Sequence, residues 1–201
     1  MKKLFFTLCL SCFCISIFAQ DIKLPTPVKT GGKPLMEVFN ERQSKREFTG
    51  GDIDKQTMSN LLWSAYGFNR DDRRTVPSSQ NRQEIDVYVM LKDGIYYYDA
   101  KTNTLKLYQK GNFIEALGQP NISTKAAFTL IYVANLDKAS NREAAFTDTG
   151  YISQNVYLFA ASTNNIGTVA RGSFNRKALP EVMKLANNQE ITLVQPIGIV
   201  K

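Results

Sequence analysis

A long uninterrupted helical segment between residues 143 and 165 constrains the fold of this 201-residue chain more than any other feature. The segment contains no proline and one glycine, and Ile152, Val156, Phe159 and Thr163 recur within it at helical spacing. Its other faces are also largely apolar, which favours burial on more than one side. A helix of this length would span roughly 34 Å, about the width of a small domain. The sequence therefore predicts a helix that crosses the core.

Shorter segments with helical and strand patterns lie on both sides of that helix. Residues 127–134 are almost continuously apolar, which is typical of a central strand. Asp52 or Asp54 is placed to cap a helix that runs through Ala65 and ends at Gly67. Helices and strands do not alternate strictly, so we expect an α+β fold with a central, mostly antiparallel sheet flanked by helices. Further strands are expected at 85–91, 95–99, 104–108 and 168–170, further helices after Pro34 and at 112–117 and 177–186, and a strand pair or one bent strand at 191–200, with Gly167 ending the long helix.

The first 19 residues have the features of a secretion signal. Lys2 and Lys3 precede an apolar run at 4–18, and Ala19 is a small residue before the expected cut at Gln20. The apolar run is shorter than the roughly 20 residues that a membrane-spanning helix needs. Cleavage as a lipoprotein at one of the three leader cysteines is a less favoured alternative. We therefore expect a signal peptide at 1–19 and one exported, periplasmic domain at 20–201.

The residue types that are missing exclude several kinds of site. The chain has no histidine, and its three cysteines all lie in the leader. A Ser-His-Asp triad, a histidine-bound zinc and a cysteine nucleophile are therefore excluded from the mature chain. We predict no catalytic side chain and no metal site, so a cofactor would carry the chemistry of an enzyme.

The positive charge is modest and, apart from one short run, spread along the chain. The net charge of +7 falls to +5 when Lys2 and Lys3 leave with the signal peptide, and only residues 70–74 form a basic run. A nucleic-acid footprint would need a longer basic stripe with interleaved aromatic residues. A solvated surface, or a site for a phosphate or an anionic substrate, fits this distribution better.

Two polar segments are candidates for binding. Residues 42–48 (Arg-Gln-Ser-Lys-Arg-Glu-Phe) combine three cations and a hydroxyl, and guanidinium groups match phosphate oxygens well. The alternative is an exposed helix end whose cations complement the helix dipole. Residues 69–84 form a loop of a length that is usually functional or disordered, although the Pro77–Ser79 stretch alone is also compatible with a plain turn.

The order of several short motifs resembles that of the FMN-dependent nitroreductase family. The resemblance extends over residues 35–199 and is greatest to exported members from gut Bacteroidetes, with the loop at 73–78 similar to the azoline-oxidase-like branch. It implies a nitroreductase-like α+β fold and an intertwined homodimer with FMN at the subunit interface. The motifs are Arg42-x-Ser44-x-Arg46-x-Phe48, Arg73-Arg74-Thr75-x-Pro77-Ser78, Gly150 with Gln154, Asn155, Leu158, Ala160 and Ala161, Ile166-Gly167-Thr168, and Gly172-Ser173-Phe174.

The resemblance also implies roles for individual residues. Arg42 and Ser44 would hold the FMN phosphate and ribityl chain, and Arg46 would stabilise the reduced flavin near N1 and O2. The loop at 77–81 would cover the flavin from the second subunit. Gly172 and Ser173 would place backbone N–H groups near the hydride-accepting N5. The expected flavin contacts are Arg42, Gln43, Ser44, Arg46, Pro77, Ser78, Ser79, Asn81, Arg171, Gly172 and Ser173.

Two features leave the function open at this stage. Many members of the family have a Lys-x-Arg pair after the Pro196-Ile197-Gly198 strand, whereas this chain ends in Ile199, Val200 and Lys201. Arg171 could reach either a substrate or the phosphate. The expected function is an FMN-dependent oxidoreductase that transfers hydride through N5 to or from a small planar substrate. The alternatives are a substrate oxidase of the azoline-dehydrogenase kind, with oxygen or a quinone as acceptor, and an exported flavin-binding protein without turnover.

Overall fold

A seven-stranded sheet with helices on both faces forms the body of the protein in the computed structural model, which describes residues 20–201. The expected signal peptide at 1–19 lies outside the described residues. No helix within residues 20–201 is long and apolar enough to cross a bilayer. The helices are α1 (Leu35–Glu41), α2 (Lys55–Tyr66), α3 (Pro120–Ser123), α4 (Arg142–Ser162) and α5 (Ala178–Val182), with 3₁₀ turns at Ser79–Asn81 and Ile114–Leu117. The strands are β1 (Ile22–Lys23), β2 (Phe68–Arg70), β3 (Arg73–Arg74), β4 (Ile85–Leu91), β5 (Gly94–Asp99), β6 (Thr104–Lys110), β7 (Phe128–Asn135), β8 (Ile166–Thr168) and β9 (Gln189–Ile199).

The strand order in the main sheet is β1-β6-β5-β4-β7-β9-β8, and every pairing in it is antiparallel. The apolar strand predicted at 127–134 is β7, which lies inside the sheet between β4 and β9. The sheet therefore confirms the predicted α+β class. Strands β2 and β3 form a separate hairpin inside the loop that was expected at 69–84.

The predicted long helix is α4, and it packs with α2 on one face of the sheet. Its side chains Ile152 and Val156 are fully buried in the larger of the two main clusters of apolar residues. The Asn141 side chain caps its start by accepting a hydrogen bond from the N–H of Ala144 at 2.7 Å. Asp54 caps α2 in the same way. A second apolar cluster, which includes Leu179 of α5, covers the opposite face.

Gly167 has a different role from the one expected. Helix α4 ends at Ser162, and Gly167 lies in β8 directly opposite Gly198 of β9. A Cβ atom on Gly167 would lie 2.9 Å from the Cβ of Lys45, and one on Gly198 would lie 2.7 Å from Phe48. Real Cβ contacts are not this short, so this glycine pair lets residues 45–48 pack directly on the backbone of two paired strands.

The C-terminal segment is one strand, the second of the two predicted forms. Pro196 lies inside β9, although proline cannot donate a hydrogen bond to a ladder. The pairing of β8 with β9 stops at Ile197 and resumes only as a single bridge between Arg171 and Val194. Pro196 therefore lies where the hydrogen-bonded pairing of β9 with the β8 side of the sheet is interrupted. The strand expected at 168–170 lies at 166–168 instead, and α5 is shorter than the helix expected at 177–186.

Candidate functional site

A cationic cavity of about 720 Å³ lies beside the segment that follows α1. Ser44 and Arg46 line it, together with Lys125 from the end of the α3 turn and Lys201 at the C-terminus. We call this the cationic cavity. Its volume is in the range of small-molecule sites in proteins. Lys125 and Lys201 bring two cations into the cavity from outside the segment at 42–48, and Glu47 adds a carboxylate.

Arg42 lies on the other side of the same segment. It lines a separate cavity of about 560 Å³, together with Lys33 and residues at the end of α4, while Gln43 and Lys45 border both cavities. The guanidinium carbon of Arg42 lies 5.5 Å from the ring centre of Tyr157. The structure therefore brings Ser44 and Arg46 into one cavity and places Arg42 next to it.

Tyr157 of α4 links three parts of this region. Its hydroxyl lies 2.9 Å from Oγ of Ser44 and accepts a hydrogen bond from the N–H of Ala170 at 2.8 Å. Its ring lies beneath Arg42. One side chain therefore holds the segment at 42–44 against the chain that leads into Arg171, and sequence reasoning missed it.

Replacing Tyr157 by phenylalanine should separate the hydroxyl contacts from the ring contact. The N–H of Ala170 would lose its acceptor, and an unsatisfied, partly buried donor costs roughly 1–3 kcal/mol. We expect the free energy of unfolding to fall by about that amount in urea titration. Tyr151→Phe is the matched control, because this exposed tyrosine on the same helix makes no hydrogen bond through its hydroxyl within residues 20–201. Equal stability of the two variants would contradict the linking role.

The loop at 77–81 is held in an unusual backbone conformation. Gln80, Asn81 and Gln83 all have positive φ angles, between 49° and 56°, although none is glycine. Such residues are uncommon and cluster at functional sites. The loop is fixed by local bonds, including one from the N–H of Gln83 to Oγ of Ser78 at 3.0 Å. Pro77, Ser78 and Asn81 line a third cavity, described below.

A buried carboxylate on α4 anchors this loop. Asp148 accepts a hydrogen bond from the N–H of Ser79 at 2.7 Å. Glu84, next to the loop, is 1% exposed, and neither of its carboxylate oxygens has a donor within residues 20–201. Burial raises the pKa of Glu84 to about 7; neighbouring Asp148 adds to this rise and the charge of Arg82 opposes it. Glu84 and Asp148 therefore form a buried carboxyl pair beneath the loop.

The turn at 171–173 lies at the end of the β8 region. The N–H groups of Gly172 and Ser173 have no acceptor within residues 20–201, and both residues are exposed. Arg171 turns inward and is 7% exposed: its Nη2 donates to the carbonyl of Ser173 at 2.9 Å, while its Nε has no partner within the described residues. Burial also lowers the pKa of the Arg171 guanidinium. The turn thus presents two free backbone donors.

The expected flavin contacts occupy two separate places along α4. Tyr157 holds the segment at 42–44, whereas Asp148 holds the loop at 77–81. These two helix residues are nine positions apart, which corresponds to about 13 Å along the axis. In one protomer the two sets also line different cavities, Ser44 and Arg46 the cationic cavity and Pro77, Ser78 and Asn81 another.

The sequence did not identify Asp148, Tyr157 or Lys125 as site residues, and only the first two left a signal in it. Asp148 and Tyr157 are polar groups on a helix that is otherwise largely apolar, and buried polar groups in such places usually have a fixed partner. Lys125 gave no signal, because it reaches the cationic cavity only through the packing of the α3 turn near the C-terminus.

Comparison with known proteins gives a consistent result. The model of the nitroreductase family matches residues 40–199. A protein of Methanocaldococcus jannaschii that is provisionally named a nitroreductase is 28% identical over 183 residues, which covers 82% of this chain and 90% of that protein. A crystal structure from Ralstonia eutropha with the same provisional name is 33% identical, with a TM-score of 0.80 over 91% of this chain and 90% of that one. A second crystal structure, from Anabaena variabilis, is 20% identical, with a TM-score of 0.75 over 90% of this chain and 42% of its own length.

Proposed function

Because this chain belongs to the nitroreductase family, whose members are flavin oxidoreductases, we propose that it is an FMN-dependent oxidoreductase that works as an exported homodimer. The cationic cavity is the observation that carries this proposal. It joins Ser44 and Arg46 to three lysines, Lys45, Lys125 and Lys201, which outnumber the carboxylate of Glu47 and give a phosphate-bearing cofactor several charged donors at one place. The size of the cavity and the free N–H groups of the 171–173 turn also fit a flavin.

Each group of residues has a distinct role in this proposal. Ser44, Lys125 and Lys201 hold the phosphate, and Arg42 adds its charge from the neighbouring cavity. Arg46 places a cation at the pyrimidine edge, where it would favour the reduced flavin. The N–H groups of Gly172 and Ser173 orient the ring edge. When bound, FMN would supply the group that accepts and donates hydride.

A homodimer accounts for the separation of the two sets of contacts along α4. In a dimer, the loop at 77–81 of one subunit would lie over the flavin held by residues 42–46 of the other. Three large apolar side chains of α1 are exposed in the protomer: Leu35 is 60% exposed, Met36 77% and Phe39 50%. Apolar side chains grouped in this way are typical of a surface that a partner covers.

The location limits the choice of electron donor. If residues 1–19 are removed on export, the protein meets little NAD(P)H, which is mainly cytoplasmic. We therefore propose a donor other than a nicotinamide cofactor, or direct oxidation of the substrate as in the azoline-oxidase-like branch. A flavin-binding protein without turnover is the alternative outside the enzymes.

The test begins with the purified protein without its leader. We expect a visible flavin spectrum, a ratio of one FMN per protomer and a dimer by light scattering. Dithionite, quinols, NADH and NADPH are then added anaerobically, and bleaching of the flavin identifies a donor. The binding protein without turnover would be favoured if the bound flavin is reduced by dithionite alone and if no candidate substrate reduces or reoxidises it. A monomeric protein would contradict the proposal. So would a protein that neither retains FMN nor quenches its fluorescence.

A further inference from the structure

The basic run at 70–74 builds a cavity of its own next to the loop at 77–81. This cavity has a volume of about 330 Å³, and we call it the arginine cavity. Arg70, Arg73 and Arg74 line it, and its other wall contains Pro77 and Ser78. No carboxylate lines it. The proposed function gives these arginines no role, because the phosphate would lie in the cationic cavity.

Arg74 is fixed in place before any ligand binds. Its guanidinium carbon lies 4.1 Å from the ring centres of both Tyr66 and Phe68. Its Nη1 donates to the carbonyl of Tyr66 at 2.9 Å and its Nε to Oε1 of Gln83 at 3.0 Å. No carboxylate within residues 20–201 lies close enough to form an ion pair with it. Arg74 is therefore a positioned cation that forms no ion pair within the described residues.

Arg70 and Arg73 are the movable cations of the same hairpin. Both are exposed, and within residues 20–201 they form one ion pair with a carboxylate, from Nε of Arg73 to Asp72, which is 3.7 Å long. An exposed pair of this length is screened by solvent and worth little. Both side chains can therefore turn towards a ligand in the cavity without breaking a strong contact.

The hairpin is connected to the loop that would cover the flavin. The carbonyl of Asp72 accepts hydrogen bonds from Nδ2 of Asn81 at 3.3 Å and from Nε2 of Gln83 at 2.7 Å. Trp63 fixes the start of the hairpin, since its Nε1 donates to the carbonyl of Phe68 at 3.1 Å. The cations are thus held at a fixed place relative to Pro77 and Ser78.

We propose that the arginine cavity binds the anionic group of a small planar aromatic substrate, a carboxylate or sulfonate, and so selects anionic over neutral substrates. This inference rests on the proposed function, because it places the ring of the substrate beside the loop at 77–81 where the flavin would lie. Three guanidinium groups around a cavity whose lining within residues 20–201 includes no carboxylate attract an anion, and their planar geometry suits a bidentate carboxylate. The volume suits one ring with one charged group.

The test compares two ligands of similar shape, 4-nitrobenzoate and 4-nitrobenzamide, by calorimetry on the purified flavin-loaded protein. We expect the carboxylate to bind about tenfold or more tightly than the amide, with a preference that shrinks as salt is added. In Arg70→Gln/Arg73→Gln, 4-nitrobenzoate should bind about tenfold more weakly, while 4-nitrobenzamide changes less than about threefold. Arg74 is left intact because it supports the hairpin.

Lys55→Gln/Lys92→Gln removes the same charge from exposed positions away from the cavity and should leave both affinities unchanged. Equal weakening of both ligands in the arginine variant, or no weakening, would overturn the proposal. Weaker binding of FMN but not of riboflavin would also overturn it, because the arginines would then serve the cofactor phosphate. Calorimetry reports binding without turnover, so loss of the ligand preference and absence of oxidoreductase activity are distinguishable results.

Discussion

Replacing Arg42 and Arg46 together by alanine is expected to lower the affinity for FMN by about two to four orders of magnitude. Each hydrogen bond to a charged group contributes roughly 1.5–3 kcal/mol, and about 1.4 kcal/mol corresponds to a factor of ten in the dissociation constant. Arg46 lines the cationic cavity and Arg42 lies on Tyr157 beside it. The dissociation constant is measured by quenching of FMN fluorescence on titration with protein.

The control for this variant is Lys55→Ala/Lys92→Ala, which removes two positive charges from exposed positions that do not line the cavity. We expect it to bind FMN as the unchanged protein does. Thermal unfolding of both variants without FMN shows whether the fold survives. If the arginine variant is folded and binds FMN within about threefold of the unchanged protein, the cationic cavity is not the flavin site.

Replacing Glu84 by glutamine is expected to remove a pH-dependent loss of stability of up to about 3 kcal/mol. The folded-state pKa of Glu84 is raised to about 7 from the 4.5 of a free glutamate, and each unit corresponds to about 1.4 kcal/mol. A raised pKa means that the contribution of this group to stability is complete below about pH 4.5. It is lost as the pH rises, until both the folded and unfolded states are ionised above about pH 7.

The measurement is urea unfolding of both proteins between pH 4.5 and pH 8.5. The glutamine variant and the unchanged protein should be similarly stable at the acidic end, and the variant should be more stable at the alkaline end. Glu181→Gln, at an exposed position, should follow the unchanged protein throughout. Parallel stability curves for the Glu84 variant and the unchanged protein would show that this carboxyl titrates normally in the folded state.

The elements that could be predicted from the sequence are those set by local patterns. The 3.6-residue repeat of Ile152 and Val156 predicted α4, and the apolar run at 127–134 predicted β7. The capping role of Asp54 also follows from its position before an apolar stretch. These features depend on neighbours in the chain, so a single sequence contains the information for them.

The contacts that could not be predicted join segments far apart in the chain. Tyr157 meets Ser44 across 113 residues, and Asp148 meets Ser79 across 69. The local pattern marks these side chains as polar groups on a largely apolar helix, but it does not identify their distant partners. Gly167 was interpreted as a helix stop because glycine often ends helices. In the folded protein its missing side chain instead makes room for Val200 and Lys45.

The pairing of Gly167 with Gly198 divides the region into positions that can vary and positions that cannot. Lys45 lies against Gly167 and Phe48 against Gly198, so the two ends of the 45–48 segment pack on strand positions that carry no side chain. In a library of variants, the side chain at position 46 could therefore be exchanged while its stem stays in place. A methyl group at Gly198 would collide with Phe48, and one at Gly167 would collide with Val200 and Lys45. The charge at position 46 is thus set by Arg46, whereas the position of the segment on the sheet depends on Gly167 and Gly198.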